Sequence, residues 1–242
     1  MSQSLDKSLV LYALQKLKRR DRIRKVFGAQ SLTFGARSHN YDLLPPLSPT
    51  VVDDFERRHG VLLPEDYRYF VTEIGNGGAG PDYGLFPFGQ QDDGYGFEPW
   101  ESGHLIGDVS KPFPHVGAWN QPESFWEPRN SIPSGIPAEE EDRLMAEWDK
   151  IDNEHYWNPA IMNGAIPICH RGCALRQWLV VNGPQRGFVW NDFRADEGGV
   201  EPLCDKQTGR PMTFSDWYMS WLNDAVEECG LGRVLHKLFR RT

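Results

Sequence analysis

The hydrophobic positions near the end of the chain form its clearest helical pattern. Thr213 and Asp216 have the spacing of a capping box, in which a threonine hydroxyl accepts a hydrogen bond at the start of a helix. From Phe214, apolar residues recur at i, i+3, i+4, i+7, i+8, i+11 and i+12, which predicts one buried helix face. Gly230 suits the left-handed end of such a helix. A short turn over residues 234–239 is predicted after it.

Four earlier helices are predicted from the same period and from their start signals. Each has apolar residues at helical spacing, and a proline or an N-cap residue marks where most of them begin. Gly60 and Gly75 supply stops for the second and third of these helices. The predicted helices begin at Ser4 (ending near Phe27), at Pro49 after the N-cap Ser48, at Pro64 and at Pro137.

The strands are predicted from short β-branched and aromatic runs bounded by turn residues. Residues 174–181 and 188–191 form a hairpin, and residues 166–169 form a shorter strand. That strand belongs at an edge because Pro167 lacks the N–H that a central ladder requires. A further strand is plausible at 83–88. We therefore predict an α+β fold: a mainly antiparallel sheet with helices from both ends of the chain packed on one face.

A long loop-rich insert, from about residue 89 to about 163, separates the first predicted strand from the hairpin. Irregular segments of that length tend to be functional. Its acidic residues surround a tryptophan, a residue type favoured in binding hot spots. We predict a partner-binding surface here, together with two residues of the second hairpin strand: Asp92, Asp93, Glu98, Trp100, Glu101, Trp190 and Asp192.

The composition and charge of the chain disfavour several classes of protein. The 242 residues carry a net charge of −8, which disfavours a protein that coats nucleic acid and is also ordinary for solubility. No apolar run reaches membrane-spanning length, and residues 1–10 lack the apolar core of a signal peptide, so a cytosolic protein without a membrane partner is expected. The four cysteines are dispersed, so reduced thiols are expected.

The second half of the first predicted helix is strongly basic. Its seven Lys and Arg residues oppose only Asp21, which leaves +6 here and −14 on the rest of the chain. Two interpretations stay open. The run is either an arm for an acidic partner or a solvated helix face folded back on the acidic body.

Three patterns that suggest chemistry have simpler explanations. Gly75, Gly77 and Gly80 match a dinucleotide-binding turn, but a predicted helix precedes them where the motif requires a strand. Cys169, His170 and Cys173 offer metal ligands, but a closed zinc site needs four, and a buried strand cysteine beside a turn cysteine is the simpler interpretation. The seven histidines lie in none of the hydrolase motifs. We predict no catalytic, cofactor-binding or metal-ligating residues.

The order of these elements resembles the SUKH superfamily, in particular its Smi/Knr-like branch. The matching segments are 63–68 leading to Asn76-Gly77-Gly78, 84–86, 165–168, the Gly172-Cys173 turn, the hairpin from 179 to 190, and 214–217. This resemblance implies a SUKH-like α+β domain over 48–242, preceded by a basic helix and connector over 1–47. In bacteria it implies most often an immunity protein that blocks a toxin, and in fungi a non-enzymatic regulator of wall assembly.

These observations lead to three hypotheses of function. The first is a cytosolic, non-catalytic immunity protein that binds a toxin domain by stoichiometric occlusion. The second is a regulatory scaffold that binds an endogenous protein through the basic N-terminal helix. The third is an uncharacterised enzyme, for which no nucleophile and base are visible in the sequence.

Overall fold

The structure is a computed structural model that describes residues 5–28, 31, 33–91, 94–96 and 106–231. Its helices are α1 (Lys7–Val26), α2 (Ala36–His39), α3 (Pro49–His59), α4 (Glu65–Tyr69), α5 (Glu127–Asn130), α6 (Ala138–His155) and α7 (Phe214–Glu228). A π-helical turn, Phe70–Ile74, continues α4. In the part of the chain described, no helix has both the length and the apolar character needed to cross a bilayer.

The predicted helix boundaries are confirmed where their signals are strongest. At the start of α7, the hydroxyl of Thr213 accepts a hydrogen bond of 3.2 Å from the backbone N–H of Asp216. Gly60 ends α3 with φ of 64°, and Gly230 follows α7 with φ of 66°, both in the left-handed region that glycine favours. The predicted turn at 234–239 lies outside the described residues.

The main sheet is antiparallel, which confirms the α+β prediction. Its strands lie in sequence order: β3 (Ala165–Gly172), β4 (Leu175–Val180), β5 (Val189–Asp192) and β6 (Val200–Pro202). Two further strands of three residues each, β1 (Gly89–Gln91) and β2 (Gly94–Gly96), pair separately. The sheet is therefore a meander in which each strand pairs with the next one along the chain.

The strand β3 forms one edge of the sheet, as we predicted from Pro167, and the register shifts after that proline. Residues 83–88 run along this edge. The N–H of Phe86 donates to the carbonyl of Ile168 at 2.9 Å, and the N–H of Tyr83 donates to that of His170 at 3.3 Å. The prediction of a regular strand at 83–88 is wrong, because only Leu85 makes isolated bridges there, to Gly78 and to Cys169. Gly84, at φ of 100°, precedes it, and Pro87, which has no N–H to donate, follows it.

One face of the sheet carries the main core, to which α1, α3, α4 and α7 contribute. The α7 stripe is buried as predicted except at Trp221, which is partly exposed. Phe214 and Tyr218 are fully buried and pack on Phe70, with ring centroids 5.3 and 4.8 Å apart. The basic helix α1 belongs to this same core through its buried side chains Val10, Ala13, Leu14 and Leu17.

The other face of the sheet is covered by the described part of the insert. Because successive side chains of a strand point to opposite faces, Leu179 joins the helical core while Trp178 and Val180 join a second cluster. Trp190 belongs to that second cluster, against Phe113. A third aromatic cluster, Trp126, Trp148 and Tyr156, adjoins it through Trp119 and Trp157 and packs α6 against the 3₁₀ turn that precedes α5. The sheet is therefore buried on both sides.

Candidate protein-binding site

The structure separates the predicted partner-binding residues into two groups. Asp92, Asp93, Glu98, Trp100 and Glu101 lie outside the described residues. Trp190 and Asp192 lie in the interior, 0% and 2% exposed. A partner that docks on the surface does not reach side chains enclosed in this way, so we assign neither Trp190 nor Asp192 to the binding surface.

Asp192 instead forms a buried ion pair with Arg194, which joins the sheet to the insert. Its carboxylate accepts hydrogen bonds from Arg194 Nε at 2.9 Å, from Arg194 Nη2 at 2.7 Å and from Trp178 Nε1 at 3.1 Å. Arg194 also donates from Nη1 to the carbonyl of Tyr156 at 3.3 Å, and its guanidinium lies over the ring of Trp157. Asp192 therefore has a structural role.

An acidic groove lies between α7 and the turn that follows β6. It has a volume of about 510 Å³, and a second cavity of the same volume lies on the other side of that turn. Residues from six parts of the chain line the groove, namely 33–34, 81–82, Gln177, 203–207, Met212 and one side of α7. We call it the α7 groove; the residues used below are Phe34, Asp82, Asp205, Trp221, Asp224 and Glu228.

The wall formed by residues 205–210 is a tight turn built around one carboxylate. Asp205 Oδ1 accepts hydrogen bonds from the hydroxyl of Thr208 at 2.7 Å, the backbone N–H of Thr208 at 2.7 Å and that of Gln207 at 3.2 Å. The bonds from Thr208 lower the pKa of Asp205. Gly209, with φ of 68°, completes the turn. Asp205 is thus held ionised and fixed at the edge of the α7 groove.

Two of the four carboxylates that line the α7 groove, Asp82 and Asp224, have a raised pKa. Partial desolvation raises the pKa of Asp224 and the neighbouring charge of Glu227 raises it further, while Lys206, which also lines the groove, lowers it. Burial also raises the pKa of Asp82, partly offset by Arg171 at 3.5 Å. An upward shift shows that the ionised form has lost solvation that nearby cations do not fully restore. The groove therefore favours a cationic group from a partner.

Aromatic side chains supply the apolar part of this surface. Trp221 packs against Tyr218 at 5.4 Å and His39 at 6.0 Å between ring centroids, which fixes its position at the groove. Phe34 is 65% exposed and contacts the ring of Tyr83 edge-on. Carboxylates beside aromatic faces are suited to Lys or Arg, whose charge pairs with the acid and whose stem or guanidinium packs on the ring.

The glycine pattern at Gly75, Gly77 and Gly80 serves close packing of the chain. A helical turn precedes it, as the sequence predicted. Gly77 has φ of 89°, and a Cβ at this position would lie 2.8 Å from the backbone N of Pro87. Gly77 and Gly80 therefore let the extended segment 83–88 approach this turn, and Gly75 lets Leu43 and Leu44 approach it.

The cysteines lie where the simpler interpretation placed them. Cys169 is fully buried in β3, where its thiol donates to the carbonyl of Pro81 at 3.2 Å, and burial raises its pKa well above the usual value. Cys173 is exposed at the β3–β4 turn. Among the residues that the structure describes, no three His, Cys, Asp or Glu side chains are grouped so that they could hold a metal ion.

These features define an α+β domain with a four-stranded antiparallel sheet, covered on one face by α1, α3, α4 and α7 and on the other by the insert, and with an acidic surface groove. The model of the SMI1 / KNR4 family (SUKH-1) matches residues 46–206, well over half of the chain, and the chain therefore belongs to this family. A search of curated proteins and a search of solved structures gave no match.

The matched span ends inside the turn that forms one wall of the α7 groove. Asp82 and Asp205 lie within it, whereas Phe34 and the whole of α7 lie outside. The groove is therefore assembled from residues inside and outside the part of the chain that the family model describes.

Proposed function

We propose that this chain is a non-catalytic protein-binding module that acts in the cytosol as an immunity protein, binding a toxin domain and blocking it by occlusion. Membership of the SMI1 / KNR4 family is compatible with this role and with that of a regulator. The observation that carries the proposal is the α7 groove, in which Asp82 and Asp224, both with a raised pKa, lie beside the exposed ring of Phe34 and the partly exposed ring of Trp221.

The charges and the rings contribute to binding in different ways. The net charge of −8 attracts a basic partner at long range and raises the association rate. Trp221 and Phe34 then bury apolar area against the partner, which slows dissociation, because buried aromatic anchors dominate interface energies. The insert residues 92–101 remain a second proposed contact for the same partner.

The experiment is to test every toxin domain encoded by the genes that flank the gene of this chain for binding. Isothermal titration should give a 1:1 complex with the full chain, and coexpression should restore growth. Trp221→Ala should raise the Kd by about thirtyfold or more, the loss expected at a hot spot. Asp224→Lys combined with Glu228→Lys should remove binding at physiological salt.

The matched control carries the same change of charge on a different surface. Glu140→Lys combined with Asp142→Lys alters two exposed residues of α6. This variant should keep the affinity to within about threefold, apart from the long-range effect that salt screens. Equal losses in the control and in the groove variant would place the interface elsewhere. Failure of every neighbouring toxin domain to bind would overturn the immunity role.

The second candidate is a regulatory scaffold that engages an endogenous protein through the basic helix. The observation that favours it is the exposed basic end of α1, whose cations face solvent. A chain that binds no toxin domain and loses an endogenous partner when α1 is altered would support this candidate instead.

A further inference from the structure

The helix α1 has a second apolar face that the core does not use. Ile23, Val26 and Phe27 are 51%, 77% and 82% exposed. Their spacing of i, i+3 and i+4 places them together on one side, opposite the buried Leu14 and Leu17. Single exposed apolar residues are ordinary, but three adjacent ones on one helix face indicate a binding surface.

Exposed cations border this apolar face: Arg19, Arg20, Arg22 and Arg24. Two other cations of the helix already have partners, since Lys18 pairs with Asp42 and Lys25 pairs with the buried Asp21. None of the four bordering arginines has a carboxylate within ion-pair distance among the described residues. We call this surface, residues 19–27, the α1 tip.

We propose that the α1 tip binds an acidic amphipathic helix of a partner protein. An apolar stripe with charged borders is complementary to a helix that carries its own apolar stripe between Glu or Asp residues. The stripe supplies buried area and the arginines supply ion pairs that fix the orientation of the partner helix. This inference rests on the second candidate function, for which it specifies the kind of partner, and it does not depend on the α7 groove or on the immunity role.

The surroundings of the α1 tip favour a protein helix over a membrane or a nucleic acid. The end of α7 lies beside it, because a Cβ on Gly230 would be 3.6 Å from the guanidinium of Arg20. Glu227 and Glu228 are therefore close by, and both are exposed. A broad anionic bilayer would face these carboxylates as well as the tip, whereas a single helix can cover the tip alone. Phosphates of a nucleic acid would leave the apolar stripe without a partner.

The probe is a synthetic 21-residue helix with Leu at its a and d positions and Glu at its e and g positions. Fluorescence anisotropy with the full-length chain should show saturable 1:1 binding at low salt. Ile23→Ser, Val26→Ser and Phe27→Ser in one variant should weaken binding at least tenfold, and Arg19→Glu, Arg22→Glu and Arg24→Glu in another should do the same. Thermal melting should be unchanged in the first variant, because these side chains are exposed.

Controls decide between this surface and a general attraction of charges. Arg143→Glu, on the exposed side of α6, should leave the affinity for the peptide unchanged, and a scrambled peptide of the same composition should bind at least tenfold more weakly. Equal binding by all variants would overturn the proposal, as would no binding at all. Tighter binding to vesicles containing phosphatidylserine, or to duplex DNA, would assign the α1 tip to those partners.

Discussion

Removal of the Asp192 carboxylate, with Arg194 kept in place, tests how the insert is held on the sheet. The side chains of Asp192 and Arg194 are 3% and 0% exposed, so neither charge can be solvated after the other is lost. Breaking a buried pair by removing one partner costs about 3–5 kcal/mol, because the remaining charge stays buried and uncompensated. We therefore expect Asp192→Asn to lower the free energy of unfolding by about 3 kcal/mol or more.

That loss is large against the whole stability of a domain, which is roughly 5–15 kcal/mol. It also has a defined spatial effect, since Arg194 reaches the carbonyl of Tyr156 and the ring of Trp157. The first structural consequence should be loosening of the third aromatic cluster, Trp126, Trp148 and Tyr156. Urea denaturation followed by tryptophan fluorescence, with hydrogen exchange at 123–163, measures both effects.

Two further variants isolate the cause. Arg143→Ala breaks an exposed pair with Glu147 in which both side chains are more than half exposed, and should cost only about 0.3–0.5 kcal/mol. Asp192→Leu with Arg194→Met removes both charges and should recover part of the loss, although Trp178 Nε1 then lacks its acceptor. A loss below about 1 kcal/mol for Asp192→Asn would refute the reasoning.

Two other predictions concern a turn and a titration. Cys173 and Ala174 form the two-residue β3–β4 turn with φ of 48° and 60°, a geometry that favours Asn-Gly, so Cys173→Asn with Ala174→Gly should raise stability by about 1 kcal/mol, seen as a higher Tm. An unchanged or lower Tm would argue against strain there. Burial lowers the pKa of His39 to about 4, so the stability that its neutral form contributes is complete above about pH 6.5 and is lost as the pH falls toward 4. His39→Leu should flatten the dependence of unfolding free energy on pH in that window, and an unchanged slope would count against this assignment.

The elements with strong local signals could be predicted from the sequence. The capping box at Thr213 and the stripe that follows it identify α7, since helix start and helix face are both encoded within a few turns. Pro167 placed β3 at the sheet edge for an equally local reason. The strand β6 was not predicted, because three residues that include a proline carry no detectable pattern.

Which face of a strand is covered depends on distant parts of the chain. Trp190 and Asp192 lie in a strand whose residue types suit either an exposed or an enclosed position. The described part of the insert encloses Trp190 and Asp192, and no local sequence pattern indicates this burial. The same limit explains why the α7 groove was not predicted: residues from several parts of the chain, between 33 and 228, form it. The one local signal was the i, i+4 spacing of Asp224 and Glu228 beside the α7 stripe.

The family match does not cover all of the elements that carry the candidate surfaces. The matched span, 46–206, contains the sheet and the turn at Asp205, whereas α1 and α7 lie outside it. Yet these two helices place fully buried side chains in the main core, including Leu17 and Phe214. The main core is therefore incomplete without elements outside the matched span. The same helices carry the α1 tip and one wall of the α7 groove. Changes on their outer sides can therefore alter the choice of partner, while their inner sides remain constrained by packing on the shared sheet.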